Sequence, residues 1–139
     1  MIVLDTNVLS ELLRPAPEAR VRDWIAGQPI SSLFVTTITQ AEILYGLALL
    51  PLGRRQQRLR ETIDAMFEQD FSGRLLPFDE AAAREFAQIA GNRRRQGRPI
   101  SQFDAQIAAI ARSRDADLAT RNVEDFEECG VTIINPWNA

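Results

Sequence analysis

The sequence contains no histidine and no lysine. Without histidine there is no Ser-His-Asp or Cys-His nucleophile pair, no imidazole acid or base near neutral pH, and no histidine metal ligand. Without lysine there is no phosphate-loop GK[ST] signature and no Schiff-base chemistry; all sixteen basic residues are arginine. The single cysteine, Cys129, excludes an internal disulfide and a cysteine-rich zinc site, and suits a reducing cytoplasm. No apolar run approaches the roughly 20 residues of a membrane span; the most apolar stretch is IAAIA at 107–111. Asp5 and Glu11 stand where a signal peptide would carry its basic and apolar regions, so no targeting segment is expected.

What is present suits one globular domain over residues 1–139, with 45% apolar and 25% charged residues. The net charge of −3 argues against coating nucleic acid by bulk electrostatics, and DNA binding by the chain alone is not expected. Basic charge is nonetheless clustered in GRRQQRLR (53–60) and NRRRQGR (92–98). Each cluster reads either as a solvated helix face or as a local surface that tracks phosphates.

Short apolar runs at 2–4, 33–35, 74–78, 117–119 and 131–134 read as strands. Helical periodicity covers 7–13, 18–27, 39–50, 54–71, 79–97 and 101–114. This alternation predicts a three-layer α/β/α domain around a mainly parallel sheet of four to five short strands. In such folds polar sites lie beyond the carboxyl ends of the strands, where the next helices begin.

Four acids fall at those places. Asp5 ends the first run, Glu42 sits in TQAE, Asp104 in SQFD and Asp125 in NVED. A Ser, Thr or Asn followed three residues later by an acid is also the capping-box pattern, so each site has an ordinary structural explanation, as does Asn7 as a cap after Asp5. Against capping alone, Glu42 and Asp104 lie in very apolar helices, AEILYGLALL and FDAQIAAIA. A carboxylate there is expensive unless it is paired, capped or bound to metal. Converging carboxylates call for a hard cation with oxygen ligands, Mg²⁺ or Mn²⁺.

MIVLDTNVLSELL, TITQAEILYGL, SQFDAQIAAIA and LATRNVEDF followed by GVTIINPW, in that order, resemble a PIN-domain ribonuclease of the VapC toxin type, in particular its FitB-like branch. The resemblance runs from Met1 to Trp137. It implies a Mg²⁺-dependent endoribonuclease, the toxin of a type II toxin–antitoxin pair, held inactive by a VapB-like antitoxin and expected as a homodimer. It implies Asp5, Glu42 and Asp104 as the acidic triad, with Asp5 and Asp104 on the metal and Glu42 beside them as ligand or water orienter. At the fourth position some relatives carry an aspartate where this chain has Asn122. Asn122 and Asp125 are therefore both candidates there, as weaker or water-mediated contributors. Thr6 and Thr120 adjoin the acids as supporting hydrogen-bonders. Arg93, Arg94, Arg95 and Arg98, just before the Asp104 helix, are the candidates for holding the RNA backbone.

With no histidine, cleavage would rely on metal-activated water, leaving a 5′-phosphate and a 3′-hydroxyl. Receiver domains and haloacid-dehalogenase-like phosphatases pair their aspartates with a lysine, which this chain lacks. The remaining rival is a catalytically inactive PIN fold that acts through protein or RNA binding; Asn122 is the feature that favours it. The helix faces at 39–50 and 54–71 offer either a dimer surface or core packing, and Cys129 and the closing NPW read as packing features.

Overall fold

A computed structural model describes all residues, Met1–Ala139. The strands are β1 (Ile2–Leu4), β2 (Leu33–Thr36), β3 (Leu75–Leu76), β4 (Asp117–Ala119) and β5 (Ile133–Ile134). The helices are α1 (Thr6–Leu12), α2 (Ala19–Ala26), α3 (Thr37–Ala48), α4 (Arg54–Ala65), α5 (Glu80–Arg95) and α6 (Gln102–Ser113). Short 3₁₀ turns cover Ile30–Ser32, Val123–Phe126 and Pro136–Asn138. The strand order is β3-β2-β1-β4-β5 and every pairing is parallel. Ile2 stands opposite Leu33 on one side and Asp117 on the other, which puts β1 at the centre of the sheet.

Because successive strand side chains point to opposite faces, β1 feeds two cores at once. Val3 packs into a cluster with Ile89 of α5, Ile107 and Ile110 of α6, and Phe126. Leu4 packs into a second cluster with Val8 and Leu9 of α1, Val21 of α2, Ile43 of α3 and Ile63 of α4. Two cores separated by one sheet are the three layers expected from the sequence. No helix is long and apolar enough to cross a membrane.

The sequence periodicity locates every element, but several ends differ. The expected strands at 74–78 and 131–134 shrink to two residues each. The expected 54–71 helix changes character at its end, where Met66–Asp70 forms one π-helical turn. The helix expected from residue 39 starts two residues earlier, because the Thr36 hydroxyl, not that of Thr39, accepts from a first-turn amide: Thr39 N–H donates to it at 3.0 Å. Thr39 is then fully buried inside α3 and the TQAE capping box does not form. α5 stops where expected, at Gly97 with φ of 71°, a left-handed conformation that glycine adopts without strain.

α3 has two apolar faces. Ile43 and Leu47 enter the core, whereas Leu44, Tyr45 and Leu49 face solvent, as do the neighbouring Leu52 and Phe103 of α6.

Candidate active site

The carboxyl ends of β1 and β4 lie side by side, and the ladder continues one residue past each. Asp5 N–H donates to Ala119 O at 2.9 Å, and Thr120 N–H donates to Ile134 O at 2.9 Å. This fixes the backbones of Asp5 and Thr120 as neighbours. Asp5 is 4% exposed. Its Oδ1 accepts from Thr6 N–H at 2.8 Å, capping α1, and its Oδ2 accepts from the Thr120 hydroxyl at 2.8 Å. Capping and participation in the site are thus not alternatives for Asp5, since each oxygen does one of them.

Asn7 is not a cap. Its Nδ2 donates to Thr120 Oγ1 at 3.2 Å and its Oδ1 accepts from Arg121 N–H at 3.4 Å, which ties α1 to the segment after β4. Thr6 reaches the other way: its hydroxyl donates to Glu42 Oε1 at 2.9 Å and lies 3.0 Å from the Thr39 hydroxyl. Glu42 therefore points back over the start of α1 instead of closing on its own helix end. Asp104, at the start of α6, receives partial capping from Ser101, whose Oγ accepts Asp104 N–H at 3.2 Å.

Asp5, Glu42 and Asp104 line one open cleft of about 520 Å³, together with Thr6, Asn7 and Asn122. Thr120 sits fully buried behind Asp5. Burial pushes the Asp5 carboxyl up to about 6; the hydrogen bonds from Thr120 and Thr6 oppose the shift, and the negative charges of Asp104 and Glu42 add to it. Glu42 is raised by burial and by Asp104, against the Thr6 hydroxyl. Asp104 is raised by burial and by Asp125, against the Ser101 hydroxyl. None of the three forms an ion pair with any arginine. Carboxylates that repel one another in a partly desolvated cleft, without a cation of their own, are the signature of a site built for function.

Asp125 stands aside. It is exposed and lines the adjoining hollow with Asn122, near enough to Asp104 to raise it. The NVED capping box does not form: Asn122 makes no side-chain cap, and its backbone carbonyl accepts Asp125 N–H.

The arginines before α6 divide. Arg93 is buried at 4% exposure and does not face solvent. Its Nε donates to Arg98 O at 2.7 Å, and its Nη1 donates to Asp125 O at 2.9 Å and Glu127 O at 3.0 Å. It is therefore a structural clamp and not part of an RNA-holding surface. Arg98 is paired to Glu127 at 2.9 Å, Arg95 is bonded to Asn92, and Arg94 is exposed.

The cleft also holds residues that the sequence did not single out. Glu11 and Arg14 form an ion pair at 2.9 Å on its wall. Arg121 stacks its guanidinium 5.2 Å from the centre of the Trp137 ring at the rim. Arg121 adjoins Asn122 in the LATRN motif and was open to notice. Trp137 arrives because the short turn after β5 packs against α2, where Arg20 donates to Trp137 O.

The profile of the PIN domain family matches residues 2–130. The chain belongs to the PIN domain family. It is 40% identical to "VapC ribonuclease Y4jK" of Sinorhizobium fredii, covering 99% of this chain and 98% of that one. It is 39% identical to "Toxin FitB" of Neisseria gonorrhoeae, covering 99% of each. Its fold superposes on a chain of the crystal structure of FitAcB from Neisseria gonorrhoeae with a TM-score of 0.94 at 39% identity, over 100% of both. The cleft described above is thus part of a PIN domain whose architecture is shared along its whole length.

No three carboxylates of this PIN domain stand close enough together to form a ready-made ligand cage. The donor set, all oxygen and without its own cation, fits a hard ion such as Mg²⁺.

Proposed function

We propose that this protein is a metal-dependent endoribonuclease, the toxin of a type II toxin–antitoxin pair acting in the cytoplasm. The observation that carries the reading is the one open cleft that Asp5, Glu42 and Asp104 all line, none of them with an ion-pair partner. The similarity to proteins named VapC ribonuclease and Toxin FitB supports it.

Asp5 and Asp104 would hold Mg²⁺, with Mn²⁺ as a substitute, and Glu42 would stand beside it as ligand or water orienter. When bound, the cation supplies Lewis acidity toward water and the phosphoryl oxygens. The chain's own residues do the rest. Thr120 and Thr6 hold the Asp5 carboxylate in one orientation and favour its ionised form. Glu42, steadied by the Thr6 hydroxyl, would accept a hydrogen bond from the attacking water. Asn122 at the rim offers an uncharged amide to phosphate or water, and Asp125 adds negative charge beyond it. With no histidine to serve as a base for the ribose 2′-hydroxyl, attack by water leaves a 5′-phosphate and a 3′-hydroxyl.

Purified, antitoxin-free protein is expected to cut a looped RNA in Mg²⁺ and to stop in EDTA. The Mg²⁺ concentration needed for half-maximal rate should rise as pH drops through about 6, because protons then compete with the cation for the Asp5 carboxylate. Cleavage undiminished by EDTA, or a Mg²⁺ requirement unchanged from pH 5 to 8, would falsify the metal-site reading.

A VapB-like antitoxin that covers the cleft and a homodimer complete the proposal. The solvent-facing Leu44 and Tyr45 of α3, with Leu49 just past its end, supply an apolar surface for the second copy. Leu49, 66% exposed, makes no large contribution to the monomer core. Leu49→Arg should therefore leave the thermal midpoint of the monomer unchanged and convert the dimer to monomer in sedimentation velocity. A variant that stays dimeric would place the interface elsewhere.

A further inference from the structure

The acid cleft does not end at its own rim. Thr6, Ser10, Arg14 and Glu42 form a wall shared with a second hollow between α1, α3 and α4, which Arg55 also lines. That hollow shares Leu13, Pro15, Arg55 and Leu59 with a third, where Arg54 and Arg58 appear. The three hollows adjoin in a row that forms a grooved surface from the carboxylates to the start of α4.

Its outer end is positive and uncommitted. Arg54, Arg55 and Arg58 are exposed, and none forms an ion pair. Arg54 and Arg55, in the first turn of α4, also oppose the field of their own helix, so they do not serve its stability. The other way out of the cleft, past Asn122, has the opposite character: Glu124, Asp125 and Glu127 line it, with Arg121 as the one cation. A polyanion leaving the cleft is repelled on that side and attracted on this one.

We infer that the groove from the cleft to Arg54, Arg55 and Arg58 is a subsite for the phosphates of a single-stranded polynucleotide. This rests on the nuclease reading and adds the path of the strand. It moves the basic track from residues 93–98, where Arg93 is buried and Arg98 is paired, to the start of α4. The apolar side chains of Leu13, Leu50 and Leu59 line the same groove and suit sugar or base faces. Guanidinium groups along its rim suit successive phosphates.

The test uses the full chain carrying Asp5→Asn, so that RNA survives, and fluorescence anisotropy of a labelled single-stranded oligoribonucleotide in Mg²⁺. Adding R54Q/R55Q/R58Q should raise Kd at least about tenfold at about 50 mM salt, and should reduce the slope of log K against log salt by about 2, at roughly 0.7 per phosphate contact. R54K/R55K/R58K should recover most of the affinity, and circular dichroism should show all of them folded. Unchanged Kd and slope in the glutamine variant overturn the inference. So does the same loss in R94Q/R95Q with none here, which moves the track to the other face. A polyglutamate peptide whose binding is lost in the glutamine variant, while RNA binding is kept, assigns the groove to an acidic protein and also overturns it. Failure of the underlying reading looks different: the protein with Asp5 intact then cuts no RNA in Mg²⁺, whatever the state of α4.

Discussion

Asp5→Asn is expected to raise the stability of the metal-free protein at pH 7 while reducing RNA cleavage by about two to three orders of magnitude. The two effects share a cause. The Asp5 carboxyl is buried and sits near Asp104 and Glu42, which lifts it from 3.8 to about 6. Between those values the folded state binds more protons than the unfolded state. Stability then declines as pH rises through the window, and the full cost of ionising Asp5 is present above it. At 1.36 kcal/mol per pKa unit this cost is about 3 kcal/mol at most. Asparagine removes the charge but cannot accept from both Thr6 N–H and the Thr120 hydroxyl, so a net gain of about 1–2 kcal/mol is expected. Thermal melts should show the variant ahead by roughly 3 °C or more at pH 7, with the advantage gone below about pH 4, where Asp5 is neutral in both states. Millimolar Mg²⁺ should then reverse the order, because it stabilises only a protein that binds it. A variant less stable than the parent at pH 7, or one that Mg²⁺ stabilises equally, would show that Asp5 belongs to the scaffold and not to the metal site.

Arg93→Met is expected to be the most destabilising single change outside the apolar cores. The guanidinium is buried and donates to three backbone carbonyls, those of Arg98, Asp125 and Glu127, and it lies 3.6 Å from Cys129 Sγ. Methionine fills much of the volume and satisfies none of these acceptors. Buried groups left without partners cost about 1–3 kcal/mol each, so a total of about 3–5 kcal/mol is expected in urea denaturation. Residues 125–129 should loosen first, since Arg93 bonds their backbone carbonyls to the end of α5. The reporter is Cys129, fully buried here, which should react with a thiol reagent much faster in the variant. Arg93→Lys keeps the charge but not the fork that spans several carbonyls, and should fall between the two. A loss below about 1 kcal/mol, with Cys129 still protected, would mean that water replaces the guanidinium without penalty.

These two residues also show how far the sequence could be read. Asp5 was legible because it stands at the end of a buried aliphatic run in a chain without histidine or lysine, so few other chemistries were open. Arg93 was not, because within NRRRQGR nothing local separates it from Arg94 or Arg95. Its burial follows from the segment after β4 crossing the end of α5, a contact over more than thirty residues. The same applies to the caps. Thr36 and Thr39 are equivalent as sequence signals; Thr36 is the cap, its hydroxyl accepting Thr39 N–H, while the Thr39 hydroxyl meets that of Thr6. Asn7 looked like a cap and instead bridges to Thr120, 113 residues away.

By itself, then, the sequence determined the alternation of strands and helices, because hydrophobic periodicity is a local property. It also determined that any chemistry must rest on carboxylates, since residue types that are absent cannot be supplied by folding. Only the tertiary structure decided which acids share a cleft, which arginines are buried, paired or open, and which way out of the cleft is positive. Charge pairing and desolvation depend on neighbours brought together from distant parts of the chain, and no spacing in the sequence records them.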